Sequence, residues 1–503
     1  MAETKRHQGR FSRMNDRYAV GLSLIAAGSA VPLASNRPGW WMLWTGLIAL
    51  MAALHLIQAA RIAPNRQPRF LAQKWLFGAA LLVPAYAMVQ ALPIAGVLPQ
   101  ILAPMRSGME GLRGATLSVA PDASLIGALR VLGYILFLAL VVEVATRRQR
   151  LTRIGRIVFI GITLQAIWAL VALKLLNDFS FWGEKTSYQG AATGTFVNRN
   201  SLATFLGFGL VLGTVLVGRL ADGPRMRMSR PQSLPERLGF EGGLILLGML
   251  LILLALVATQ SRLGLLASAL GVATTFLLLR RRSGLPTRRL WAESGVILLI
   301  FAIGLAIFGA NGVLQRLLFI EGDGGIRLDL YRQTLGMVAL RPLTGFGFDA
   351  FGVAFEAFRS PPLNGRSFYD LAHNSYLGLW AEQGLIIGSI PPILLTIAGV
   401  ISWRRLSDEQ GFPSFAAGAI GVLVMGGVHS LGDFSLEVPA NNFVFLLLVG
   451  LGIARKIQSE SDDPAPVAAK PLQPVPSAAT RTLVIELAPQ PGAKGEDNRG
   501  PST

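Results

Sequence analysis

Apolar stretches of about 17 to 23 residues recur along most of this chain, and few other features limit a fold so severely. Each is long enough to cross a hydrocarbon core of ~30 Å. A backbone inside lipid must satisfy its own polar groups, so the spans are expected to be α-helices. We place about twelve of them, at 19–36, 40–60, 74–94, 123–145, 154–175, 200–218, 239–258, 263–279, 291–310, 380–402, 413–432 and 438–454. Composition agrees. Of 503 residues 52% are hydrophobic and only 15% charged, against roughly a quarter charged in a soluble domain. The expectation is an all-α, polytopic integral membrane protein.

Charge supplies a check on the count. With the N-terminus in the cytoplasm, the cytoplasmic segments carry Lys5 to Arg17, Arg61 to Lys74, Arg147 to Arg156, Arg219 to Arg237, Arg280 to Arg289, Arg404 with Arg405, and Arg455 with Lys456. Every dense basic cluster then falls on one side, as the positive-inside rule requires. The net charge of +18 is thereby explained without nucleic acid. The chain has no cysteine, which excludes disulfides and thiol chemistry.

The organisation expected is a basic cytoplasmic arm (1–18), a transmembrane domain (19–456) and a Pro-, Ala- and Ser-rich disordered cytoplasmic tail (457–503). The first span is read as uncleaved, because the chain re-enters the membrane almost at once. Two outer loops are large, 96–122 and 311–379. The longer one contains "IRLDLYRQTLGMVALRP", in which Leu328, Leu335 and Val338 follow helical spacing. Pro342 and the glycines of "TGFGFDAF" should end that helix. An ordered loop of this length usually carries function.

Outside the cytoplasmic segments arginines are scarce. Arg199 lies in "GTFVNRNSLATFL", Arg262 in the tight turn "TQSRLGLL", and Arg327 opens the loop helix. His373, one of four histidines, precedes Asn374 in "DLAHNSYLGLWAEQGLIIG". Four separate segments thus bring Arg, Arg, Arg and His to one membrane face, where polar side chains are costly and mark function. A guanidinium pairs two phosphate oxygens and stays charged at any pH, so the arginines suit a lipid diphosphate. A neutral histidine can take a proton from a hydroxyl. Together these parts fit glycosyl transfer, with the arginines stabilising the charge on the departing phosphate.

Plainer roles stand beside these. Arg199 and Arg262 could snorkel to headgroups, Arg327 could make a surface contact with Tyr331 four residues on, and His373 could bond a backbone carbonyl. His429 reads as structural, and nothing is assigned to His7 or His55. Arg130, deep in the fourth span, needs a polar partner or a water path. Glu321 with Asp323, or Asp433 with Glu437, offer at most a weak cation site; no metal and no cofactor are expected. A transporter or flippase fits less well. The polar groups gather at one interface and no internal repeat is visible. A non-catalytic scaffold binding lipid-linked glycan is the other rival.

Four pieces carry a family resemblance: "FVNRNSLA", "TQSRLGLL", "RLDLYRQTL…RPLTGFGFDAF" and "AHNSYLGLWAEQGLIIG". With the helix count they make residues 120 to 454 resemble the O-antigen ligase and Wzy-type O-antigen polymerase superfamily. The resemblance implies an inverting, metal-independent glycosyltransferase of the bacterial inner membrane with its active face in the periplasm. The donor would be a glycan on undecaprenyl diphosphate. The acceptor would be lipid A–core in a ligase, or a second lipid-linked glycan in a polymerase of O-antigen, capsule or exopolysaccharide. It also implies His373 as the group that activates the acceptor hydroxyl, and Arg262 and Arg327 as donor diphosphate ligands. Our own reading adds Arg199 to these, with Asn374, Tyr331, Asn198 and Ser261 in support.

Overall fold

The computed structural model describes residues 2–64, 66–93, 116–181, 183–185, 187–221, 234–281, 288, 292–296, 299–303, 323–363 and 368–456. The expected disordered tail, Glu321 and most of the loop at 96–122 lie outside them. Among the described residues there are helices and no strands. In chain order these are α1 (Ala2–Gly28), α2 (Pro38–Ile62), α3 (Lys74–Ala91), α4 (Pro121–Val144), α5 (Arg148–Lys174), α6 (Arg199–Ala221), α7 (Leu234–Ala258) and α8 (Arg262–Arg281). After the helical stretches at 292–296 and 299–303 come α9 (Asp323–Leu340), α10 (Phe351–Phe355), α11 (Ser375–Gly388), α12 (Ile390–Arg405), α13 (Pro413–His429) and α14 (Pro439–Ile453).

Among the described residues seven helices are long and apolar enough to cross a membrane, eight if α11 and α12 count as one. The difference from twelve has identifiable sources. The span expected at 380–402 is broken, with α11 and α12 meeting at 69°. Pro391 and Pro392 follow the break, where a proline fits the first turn of a new helix but not the interior of an old one. The spans expected at 413–432 and 438–454 form helices of 17 and 15 residues, and the one at 291–310 is described only in part. The basic arm is helical and continuous with the apolar run that follows it. Residues 2–28 form one helix, and the apolar run beyond it turns through a short 3-10 segment at Leu33–Ser35.

Helix α6 is the centre. Of its most apolar window, 89% is buried, the pattern of a helix enclosed by protein on every side. Side-chain-free positions permit this. A β-carbon on Gly209 would stand 2.5 Å from Ile162 of α5, and one on Gly213 2.6 Å from Met249 of α7. Small residues bring helices together in this way where no hydrophobic effect drives association. Helix α2 is the opposite case. Leu43, Leu47, Leu50, Leu54 and Ile57 are all exposed, as a lipid-facing wall should be.

The bundle has two distinct ends. At one, Arg150 of α5 bonds Asp16 of α1 at 2.7 Å, Arg66 bonds Glu143 at the end of α4 at 2.8 Å, and Gln73 reaches the Ile453 carbonyl at 3.3 Å. At the other, Thr195 donates to the Ala30 carbonyl at 2.5 Å, Asn441 to that of Ser201 at 3.0 Å, and Ser124 to that of Phe348 at 2.8 Å. The candidate residues all belong to this second end.

Candidate functional site

Each candidate segment is set by ordinary local chemistry. The Asn198 side chain accepts from the Asn200 amide at 2.7 Å and so caps α6 just before Arg199. The Ser261 hydroxyl accepts from the Gly264 amide at 3.3 Å, capping α8 just before Arg262. The Asn374 side chain accepts from the amides of Tyr376 and Leu377 at 3.0 and 3.1 Å and caps α11 just after His373. A cap satisfies amides that a helix start would leave orphaned. Three of the four segments therefore present their functional candidate at a helix start.

The fourth is α9. It spans Asp323–Leu340, so Arg327 sits one turn in rather than at its opening. The buried side is Leu330, Thr334, Met337 and Val338, continued by Arg341 just past the helix end. Of the three apolar residues that follow helical spacing, Val338 is buried, whereas Leu328 and Leu335 are each 48% exposed. The inward positions are decided by packing onto Phe346, Phe351 and Phe355, with Thr334 returning its hydroxyl to the Leu330 carbonyl at 2.7 Å. The expected stop holds. The helix ends before Pro342, and Gly345 and Gly347 take positive φ of 62° and 113°, conformations suited to glycine.

The loop from Ser430 to Val438, between α13 and α14, joins all four. Asn200 donates to Asp433 at 2.8 Å. Leu263, beside Arg262, packs on Gly432, since a β-carbon there would be 2.8 Å from Leu263 and 3.9 Å from the Tyr331 hydroxyl. Tyr331 donates to the His373 carbonyl at 2.8 Å, with the Leu431 carbonyl at 3.4 Å. Asn374 donates to the Leu431 carbonyl at 3.0 Å, and the Ser375 amide to that of Ser430 at 3.1 Å. The His373 ring stands edge-on to Phe434, 4.9 Å between centroids, and its backbone holds φ at 52°. Non-glycine residues at positive φ cluster at functional sites.

The charges around this loop are unevenly matched. Arg262 is exposed and Arg327 half-buried; among the described residues neither has a hydrogen bond or carboxylate partner. The Arg199 guanidinium lies 5.3 Å from the Tyr188 ring centroid, and its buried Nε has no hydrogen-bond partner among the described residues. Asp433, 1% exposed, is occupied by Asn200 and by Ser435, which donates to it at 2.5 Å. Burial pushes the Tyr331 hydroxyl above the usual phenol range, against the opposing Arg327 charge. It therefore stays a donor at neutral pH.

Beneath the loop lies a second polar cluster. Arg130 bonds Asp349 at 2.6 Å and lies 5.6 Å from the Trp41 ring centroid, so the deep arginine has the ion pair it needed. Glu382 accepts from the Phe351 amide at 3.1 Å. Glu437 accepts from the Ser375 hydroxyl at 2.9 Å; burial, assisted by Asp349 and Asp433, raises its carboxyl to about 7 against the help of Ser375 and Arg130. No group of three or more His, Asp or Glu among the described residues is arranged to hold a metal ion. His429 is buried, 3.1 Å from the Thr204 hydroxyl through Nδ1.

One positioning residue escaped the sequence reading. Gln90 of α3, fully buried, donates to the carbonyls of Thr344 and Glu382 at 2.7 and 2.8 Å and accepts from the Phe348 amide at 3.1 Å. It ties "TGFGF" to "AEQG". Those segments also pair directly. Phe346 and Gly347 donate to the carbonyls of Ala381 and Glu382, each at 2.9 Å, and Leu385 to that of Pro342 at 2.7 Å. A lone glutamine in an apolar span was the only available signal.

Residues 247–391 match the family model described as O-antigen ligase. No curated protein matches the chain. The match is narrower than the resemblance read over 120 to 454. It contains the segments of Arg262, Arg327 and His373, and leaves out both Arg199 and the loop that joins them. It is over residues 247–391 that the chain is similar to the O-antigen ligase family, and the resemblance to the O-antigen ligase and Wzy-type polymerase superfamily holds there.

Proposed function

We propose that this protein transfers a glycan from undecaprenyl diphosphate to an acceptor hydroxyl at the periplasmic face of the bacterial inner membrane, in the manner of an O-antigen ligase. The observation that carries the proposal is the convergence on one loop of three arginine segments and His373, with Arg262 and Arg327 unmatched by any described carboxylate. Cations left without a partner near a membrane lip favour an anionic ligand, and a diphosphate is the anion that several guanidinium groups recognise best. In the reaction His373 takes the acceptor proton as the hydroxyl oxygen attacks the anomeric carbon from the face opposite the diphosphate. The anomeric carbon–oxygen bond breaks, its electron pair leaves with undecaprenyl diphosphate, and Arg262 and Arg327, with Arg199, stabilise the added charge. The configuration inverts and no metal is required.

The test is a deletion strain complemented with wild type, His373→Ala, Arg262→Ala or Arg327→Ala at matched membrane levels. Surface glycans and the undecaprenyl-linked pool are both measured. The expected outcome is failure of all three variants, with long glycan accumulating on undecaprenyl diphosphate and missing from lipid A. Accumulation of single repeats would instead assign a polymerase. Full complementation by the three variants would remove His373 and the arginines from the chemistry.

A further inference from the structure

The end of the bundle remote from this site holds a cleft of 690 Å³ between α1 and α2. One wall carries Arg10, Arg13 and Arg17. Positions i, i+3 and i+7 lie on one face of a helix, so the three guanidinium groups form a single stripe. The floor is apolar: Met14, Met51 and Ile62. Tyr18 and Gln58 complete the rim, the hydroxyl 3.4 Å from the amide oxygen.

Like charges three and four residues apart on a helix repel, and the described carboxylates nearby are taken by other arginines. Asp16 is engaged by Arg150 at 2.7 Å. Glu143 is held by Arg66 at 2.8 Å and by the Arg69 amide at 2.5 Å. Among the described residues Arg10, Arg13 and Arg17 have no carboxylate partner. Orientation in the membrane would need the positive charges alone. It would not need them to line a cavity with an apolar floor. The cleft also opens beside the wall of α2 on which Leu50, Leu54 and Ile57 are exposed, a surface along which acyl chains can lie.

We propose that this cleft binds phosphate, presented as the headgroup of an anionic phospholipid. The guanidinium stripe takes the phosphate oxygens, the floor takes the glycerol and upper acyl carbons, and the exposed face of α2 takes the chains. Basic pockets between helices at a membrane surface bind such headgroups, each arginine contributing about 1 kcal/mol, or about fivefold in affinity.

The test uses the purified, delipidated full chain in detergent, titrated with phosphatidylglycerol or phosphatidylcholine and read by native mass spectrometry. Wild type should prefer phosphatidylglycerol. Arg13→Gln should weaken that preference about fivefold, and the triple variant R10Q/R13Q/R17Q should lose it by about a hundredfold. R404Q, a charge removal outside the cleft, should change nothing. The single variant guards against a triple variant that fails to fold. Equal binding of the two lipids, or an undiminished preference in R13Q, overturns the proposal. Displacement of the lipid by excess inorganic phosphate would identify free phosphate as the ligand and overturn the lipid assignment.

Discussion

His373 holds a backbone conformation that costs a residue with a β-carbon about 1–2 kcal/mol, and the hydrogen bond from Tyr331 to its carbonyl helps hold it there. Tyr331→Phe should therefore cost about 1 kcal/mol of stability, seen in thermal unfolding, and lower glycan transfer about tenfold through misplacement of the ring. A variant that loses stability but transfers normally would separate Tyr331 from the His373 geometry. At Arg262, lysine keeps the charge and loses the planar fork. Arg262→Lys should leave transfer at least about tenfold below wild type, in the same complementation assay. The identities of these residues were legible in the sequence because a charged or titratable group at a membrane lip is conspicuous. Their partners were not. Tyr331 was read as a neighbour of Arg327 on one helix surface, yet its hydroxyl bonds the next segment, a contact that helical spacing cannot reveal.

The segments 343–348 and 381–385 interlock through their backbones. Gly345, at φ 62°, and Gly384, at φ 74°, each leave space for a carbonyl of the other's strand of chain. A β-carbon on Gly345 would collide with the Glu382 carbonyl, and one on Gly384 with that of Leu343. Gly345→Ala should thus reduce the yield of monodisperse protein sharply, whatever its effect on chemistry, because strain and overlap act together. The loop after α13 contributes differently. Asp433→Ala would leave the Asn200 and Ser435 donors unsatisfied, at a cost of about 2 kcal/mol in thermal unfolding. Glu437 sets a pH dependence. Its folded carboxyl titrates near 7, above the ordinary ~4.3, so the folded state holds more protons between these values and stability falls as pH rises through them. Unfolding temperatures of wild type should drop from pH 5 to pH 7 more steeply than those of Glu437→Gln. In the sequence, Asp433 and Glu437 suggested at most a weak cation site; only the fold shows their oxygens engaged by Asn200, Ser435 and Ser375.

At the scale of the molecule, alternating apolar runs and basic clusters were enough to give an all-helical membrane protein with two chemically different ends. They were not enough to count its spans. Length and hydropathy treat 380–402 as one rod, whereas the chain bends by 69° there, and a bend depends on what the two arms pack against. The joining loop at 430–438 has a practical corollary for anyone recombining such proteins. The family-matched stretch, 247–391, carries Arg262, Arg327 and His373 but not the loop on which their segments meet. Grafted into a relative without its own 430–438, it would deliver the right side chains into a foreign mould. A working chimera must exchange both stretches as one, together with Asn200, although nearly forty positions of chain separate the first two.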